Sequence, residues 1–330
     1  MALQPRGRVD TVFGTAGDDT LTPPRTTRPF QRPVDLFGLA GNDILTGTFL
    51  ADSMNGGSGN DVLNGTNGGI DFDSDTLVGG SGDDTITGGN GDLINGGVGV
   101  DFARVGVYPF DPSVFAGGAF VPITSSGTLG DGGVLRLSTG VRLVGIERLD
   151  LLLSGGGDSV STGASEDTIR GAGGNDVLAT LGGNDALFGD LGDDRLDGGD
   201  GADRLLGGSG LDSLIGGAGA DVFVLDQFGS GDGVNVFNPG LDRILDFNVA
   251  EGDRYDASYV AFFGDGGSET AFLDDPFAAG FARITDTAEG ALVEWIVSRG
   301  EFDPRAGGLF VQGTLFVGVT VAELGTDFLV

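Results

Sequence analysis

The sequence predicts an all-β chain: a parallel β-roll in two arrays, with an inserted β segment between them and a β-rich cap after the second. Three observations carry that expectation. Aspartates recur every nine residues from Asp158 through Asp167, Asp176, Asp185, Asp194, Asp203 and Asp212 to Asp221. An apolar residue follows each by two places, from Val160 to Phe223, and a glycine precedes most of them by two, as at Gly174, Gly192 and Gly210. A period of nine is neither the helical period of about 3.6 nor the coiled-coil period of about 3.5. It marks a repeat whose units fold only by stacking on their neighbours.

The elements follow in order from where the repeat holds and where it fails. Residues 1–37 form a leader rich in Pro, Arg and Thr (Pro23, Pro24, Pro29, Pro33) with one degenerate unit, GTAGDDTLT, at Gly14 to Thr22. Residues 38–104 form the first array. Asp43, Asp52 and Asp61 stand nine apart, with Leu45, Met54 and Leu63 two places on. The step then lengthens to 14 at Asp75, returns to nine at Asp84, shortens to eight at Asp92 and is nine again at Asp101. Residues 105–152 break the pattern; the alternation from Val141 to Leu151 reads as strands with one face buried, an inserted β segment. The second array spans 153–224. Residues 225–330 are non-repetitive and dense in Phe, with apolar runs at Asp242–Phe247, Ala291–Val297 and Leu309–Val311. They are the expected cap, with Trp295 in its core.

One unit, Gly198 to Leu206, shows the physics. Its first six residues turn the chain, and glycines at the first, second and fourth places admit backbone angles closed to other residues. Its last three residues make a short strand that points Leu205 inward. Two units complete a coil of 18 residues, and coils stack as parallel strands about 4.8 Å apart. Asp194 then lies over Asp176 and Asp212, and Asp203 over Asp185 and Asp221. Two unit charges about 5 Å apart cost roughly 3 kcal/mol at an effective dielectric of about 20. A hard cation between turns reverses that sign, and Ca2+ fits best: it takes many oxygens, and a glycine turn offers bare carbonyls beside the carboxylates.

Composition agrees. Of 330 residues 66 are Gly, and 49 acidic residues face 17 basic ones, all Arg, for a net charge of −32. Alone this suggests disorder, yet 39% of the chain is hydrophobic, with 23 Phe placed periodically. The two agree if folding is conditional on a cation. Nucleic acid is a poor partner for so acidic a surface. With no Cys and no His, disulfides, zinc sites of the usual N/S type and Ser-His-Asp triads are excluded. No apolar run is long enough to span a membrane. No apolar segment follows Arg6 and Arg8, so a cleaved secretory signal is not expected.

The units GGSGNDVLN, GGSGDDTIT and GGAGADVFV resemble the GGxGxDxUx nonapeptides of RTX (repeats-in-toxin) proteins. The resemblance implies a β-roll with multiple Ca2+ ions between same-side turns. Carried over by position, the ligands are Asp61, Asp84, Asp176, Asp185, Asp194, Asp203, Asp212 and Asp221, then Asp43 and Asp101. Asp158 and Asp167 fit the spacing in degenerate turns, while Asp92 sits in a shortened unit and is set aside. Asp242–Phe247 with Tyr255 to Ser258, and the ending Asp327–Val330, resemble the region that follows such arrays in type I secretion substrates. That implies an ABC exporter as partner and an extracellular or cell-surface location.

Two further patterns have bland readings. Asp71, Asp73 and Asp75 mimic an EF-hand start, but Thr76 follows where Gly is needed and Gly82 stands in the final Glu place. Glu147 and Asp150 could pose as a glycosidase pair; three apart on an alternating strand, they read as solvated charges. Only some 37 residues precede the arrays, so function is expected to rest on the rolls: a surface-layer, matrix or adhesion component with no catalytic residues. Self-assembly or a cell-surface polysaccharide would be its partner. The alternatives are an extracellular, for instance carbohydrate-active, enzyme using carboxylates in 105–152 or 225–330, and a partner-binding accessory.

Overall fold

The computed structural model describes residues 9–23, 32–66, 73–107, 123–127, 129, 134–224, 241–256, 262–263, 270–271, 282–298 and 309–324. Most of the leader's Pro-rich stretch, Asp71, Ser258, the side chain of Trp295 and the ending Asp327–Val330 lie outside what is described. The chain divides into two compact units, residues 1–169 and 170–330.

The first unit contains β1 (Asp10–Phe13), β2 (Thr20–Leu21), β3 (Val34–Ala40), β4 (Ile44–Thr46), β5 (Ser53–Ser58), β6 (Val62–Asn64), β7 (Thr76–Ser81) and β8 (Thr85–Gly88). It continues with β9 (Leu93–Val98), β10 (Phe102–Gly106), β11 (Ser125–Ser126), β12 (Val134–Leu137), β13 (Arg142–Val144), β14 (Arg148–Leu152) and β15 (Ser159–Ser161). Strand β16 (Thr168–Arg170) lies at the boundary. Alternate strands build two facing sheets. One runs β1-β3-β5-β7-β9-β13 in parallel and ends in antiparallel β12 and β11; the other begins β2-β4-β6-β8-β10-β14, all parallel. The inward residues pair in register: Met54 lies between Leu36 and Leu77, and Leu63 between Leu45 and Ile86. All six are at most 1% exposed. Residues 142–152, read from the sequence as part of an inserted segment, stack as a further coil, β13 beside β9 and β14 beside β10.

The second unit contains β17 (Val177–Ala179), β18 (Ala186–Leu191), β19 (Arg195–Asp200), β20 (Arg204–Ser209), β21 (Ser213–Ala218), β22 (Val222–Val224), β23 (Leu241–Ile244) and β24 (Arg254–Asp256). After these come β25 (Phe262–Phe263), β26 (Thr270–Ala271), β27 (Ala282–Asp286), β28 (Gly290–Ser298), β29 (Leu309–Val317) and α1 (Val321–Leu324). Strands β17-β19-β21-β23 stack in parallel on one side and β18-β20-β22-β24 on the other. Leu196 pairs between Leu178 and Leu214, and Leu205 between Leu187 and Phe223, which is the 18-residue coil expected. Several strands are longer than the three residues expected. They run six residues, through both glycines of the next turn, as in Arg195–Asp200, because Gly199, at φ +97°, still pairs with Gly217.

After the array, β29 joins β23 in parallel and continues as an antiparallel β27-β28-β29 sheet. The core changes from single aliphatics to rings: Phe247 packs edge-on against Phe316 at 4.8 Å, Tyr255 against Phe316 at 5.3 Å, and Phe223 meets Phe247 at 5.7 Å. Among the described residues no helix is long and apolar enough to cross a membrane. Each coil adds only two or so core side chains, so each one matters. Leu205→Ala, at a side chain 0% exposed, is expected to cost about 3 kcal/mol, a leucine cavity at typical cost, read as a lowered urea midpoint of the Ca2+-loaded chain.

Candidate metal sites along the turn edges

Each coil turns twice, and each turn places one aspartate just before a strand. These aspartates form ladders. The backbone N–H of Asp43 donates to Asp61 Oδ1 at 2.7 Å, that of Asp61 to Asp84 Oδ1 at 2.8 Å, and that of Asp84 to Asp101 Oδ1 at 2.9 Å. In the second unit Asp176 donates to Asp194 and Asp194 to Asp212 on one edge, at 2.7 and 2.8 Å. On the other edge Asp185 donates to Asp203 and Asp203 to Asp221, at 2.8 and 2.9 Å. Asp158 and Asp167 accept from Ile123 and Leu149, at 2.6 and 3.0 Å, despite their degenerate turns. All twelve sequence-predicted aspartates are at most 2% exposed.

The ladder uses one carboxylate oxygen. In Asp43, Asp61, Asp84, Asp101, Asp194, Asp203, Asp212 and Asp221 the other, Oδ2, is buried with no hydrogen-bond partner. An unsatisfied buried anion is among the costliest groups a fold can hold. Each Oδ2 is set against the first glycine of its own turn, and at the inner turns a carbonyl of the next coil reaches the same point. A Cβ on Gly198 would meet both Asp203 Oδ2 and, at 2.7 Å, Gly216 O; on Gly79 it would meet Asp84 Oδ2 and, at 2.6 Å, Gly96 O. The donor set is all oxygen, carboxylate plus carbonyl, and it fits a hard divalent cation such as Ca2+. Among the described residues no three acidic side chains group to hold a metal, so such an ion would draw heavily on backbone carbonyls.

The electrostatics match. Burial pushes Asp212 up to about 8, with Asp242 adding repulsion, and Asp221 up to about 7, with Asp253, Asp203 and Asp246 adding theirs. Asp84, Asp167, Asp194 and Asp203 rise to about 6, chiefly by burial. Asp61, Asp101 and Asp158 are raised for the same reason.

Several ladder members escaped the sequence reading. Asp52, Asp75 and Asp92 form the second edge of the first array: Asp52 N–H donates to Asp75 and Asp75 N–H to Asp92, at 2.7 and 2.8 Å. The signal was in the spacing, since Asp52 to Asp75 and Asp61 to Asp84 are both 23 apart, and the next steps are both 17. An insertion in one coil lengthens both edges equally. Glu147 is not a solvated charge: its Oε2 takes the Asp101 N–H at 2.8 Å, the place an aspartate holds elsewhere. Asp150 instead pairs with Arg104 at 3.0 Å. Beyond the array, Asp242 accepts from Asp212 at 3.1 Å and Asp253 from Asp221 at 3.0 Å, so both ladders continue into the cap.

A second, exposed ladder runs in the opposite sense one residue earlier. Asn60 N–H donates to Asn42 Oδ1 at 2.7 Å, Asp83 N–H to Asn60 at 3.0 Å and Val100 N–H to Asp83 at 2.9 Å. It explains the Asn or Asp that often precedes the ladder aspartate.

A model of the RTX calcium-binding nonapeptide repeat matches residues 7–22, 36–69, 71–103, 153–187 and 188–223. No curated protein matches significantly. Among solved structures, the AlgE6R3 subunit of the Azotobacter vinelandii mannuronan C5-epimerase aligns at 25% identity over 53% of this chain and 78% of that one. Its TM-score is 0.27, a level at which the likeness carries no argument.

Proposed function

The chain carries RTX calcium-binding nonapeptide repeats, and on that premise we propose that it is a secreted protein that folds on Ca2+ outside the cell and acts there as a structural component of a surface layer, matrix or adhesive coat. The observation that carries the reading is the file of buried Oδ2 atoms, set at the inner turns beside a backbone carbonyl of the next coil. Asp43, Asp61, Asp84 and Asp101 would hold ions on one edge of the first unit, with Asp167 further along it and Asp158 on the opposite side. In the second unit Asp176, Asp194 and Asp212 would hold them on one edge, and Asp185, Asp203 and Asp221 on the other. Bound Ca2+ supplies the positive charge that lets stacked carboxylates stay ionised and buried.

Where Ca2+ is scarce, as in a cytosol, a chain of net charge −32 repels itself and stays open for threading through a type I exporter. Outside, the ladders close. A structural role is supported by how the catalytic candidates are engaged: Glu147 serves a ladder and Asp150 an ion pair, which disfavours a glycosidase pair in that segment. The test is imaging and circular dichroism of the chain with Ca2+ and with chelator. Ordered assemblies and a β signal that arise only with Ca2+ are expected; a folded chain indifferent to the metal would sink the proposal.

Asp203→Asn separates the two roles of the ladder. Asparagine keeps an oxygen for the Asp185 N–H but removes the charge. Ca2+ affinity should fall at least about tenfold, as when even supporting groups at a metal site are removed. The metal-free chain should become more stable, because one buried charge is gone. Calcium titration and urea unfolding in chelator check the two opposite signs.

A further inference from the structure

Just past the second array the chain presents a carboxylate that neither ladder uses. Strand β23 continues the register of β21, Ile244 pairing with Leu214, so Asp246 falls where an array unit places its first glycine, as at Gly216. It folds back on the coil before it: Oδ1 accepts the Gly216 N–H at 3.0 Å and Oδ2 the Gly217 N–H at 2.8 Å. Gly216 is also the residue against which Asp221 sets its Oδ2. That oxygen is buried with no hydrogen-bond partner, on a side chain 0% exposed.

The inner turns show what this arrangement replaces. Gly198, one coil earlier, is faced by Asp203 Oδ2 and by the neutral carbonyl of Gly216. At the exit of the array a full carboxylate arrives on the same backbone. Asp246 could be a cap only, satisfying two amides left by the end of the coil. A neutral acceptor would serve that end without setting a second negative charge beside a buried one, and like charges this close repel strongly in a poorly hydrated site.

We propose that Asp221, in the last nonapeptide, and Asp246, beyond it, together hold a divalent cation, Ca2+ in an extracellular setting, at a site that fastens residues 241–256 to the last coil. The inference rests on the reading that the turn edges bind Ca2+, and it adds a site with carboxylates from two different segments. Array and cap then close together, because neither half of the site is complete alone.

Calorimetric Ca2+ titration of the full chain beside Asp246→Asn and Asp246→Ser, with hydrogen exchange in Ca2+ and in chelator, tests this. Both variants keep an acceptor for one amide, and circular dichroism in Ca2+ verifies that the roll forms. The expected result is one Ca2+ fewer per chain in both variants. Amides of 241–256 should then exchange in Ca2+ as fast as in chelator, while those of Arg195–Asp200 stay protected. Variants that bind as many ions as the unsubstituted chain, at the same affinity, would overturn the exit site and leave the array reading intact. An unsubstituted chain that binds no Ca2+ would overturn the array reading, and the exit site with it.

Discussion

Chelating Ca2+ at neutral pH is expected to remove most of the β signal, and acidifying the chelated chain is expected to bring much of it back. The ladder carboxylates rise from an ordinary value of 3.8, Asp212 to about 8, Asp221 to about 7, and Asp84, Asp167, Asp194 and Asp203 to about 6, with burial the first cause in each. Between those values and 3.8 the folded, metal-free chain holds more protons than the unfolded one. Stability therefore grows as pH falls through about 8 to 4 and is lost as pH rises again. Protons do in part what the cation does: they remove charge from oxygens that have no partner. Acidification also relieves the self-repulsion of the whole chain. In the Ca2+-loaded chain the same protons compete for the carboxylates, so affinity falls on acidification. Far-UV circular dichroism across that range, in chelator and in Ca2+, reads both trends. A chelated chain whose β signal stays flat or declines toward acid would contradict the buried-anion account.

The roll and its 18-residue coil were legible because glycine, aspartate and an apolar residue each recur for a local reason, and local reasons repeat in sequence. Ladder members with other spacing were not legible. Asp242 and Asp253 stand 30 and 32 residues from the aspartates they serve, spacings that a search for a period of nine does not reach. Glu147 stands 46 residues from Asp101, and its longer side chain does a task that a search for aspartate overlooks. The second edge of the first array is hard to see in sequence because a coil is a loop: one insertion displaces both edges together, so its steps look irregular one by one. The Asp203 neighbourhood teaches the same lesson about roles. Arg204, which follows Asp203 in sequence, forms its ion pair with Asp256, two coils on, at 3.1 Å.

From sequence alone the first glycine of each unit supplies backbone freedom; in the structure its cause is different. Left-handed angles occur at the second and fourth places, as at Gly199 (+97°) and Gly201 (+146°), whereas Gly198 is not among the positive-φ residues. What Gly198 supplies is space: a Cβ would enter the point shared by Asp203 Oδ2 and Gly216 O. The two explanations predict opposite signs for Gly198→Ala. If the glycine were only a flexible link with a permitted angle, alanine would stabilise the chain by about 0.4–1 kcal/mol through the unfolded state. If it keeps the cation's place clear, alanine should cost about 1–3 kcal/mol in packing and weaken Ca2+ binding at least as much as Asp203→Asn does. Gly17→Ala is the matched control, since nothing lies within 4 Å of a Cβ there. Unfolding midpoints of both variants in Ca2+ and in chelator settle the sign. The loss at Gly198 should be larger with Ca2+ present, because only then is the shared oxygen pocket in use.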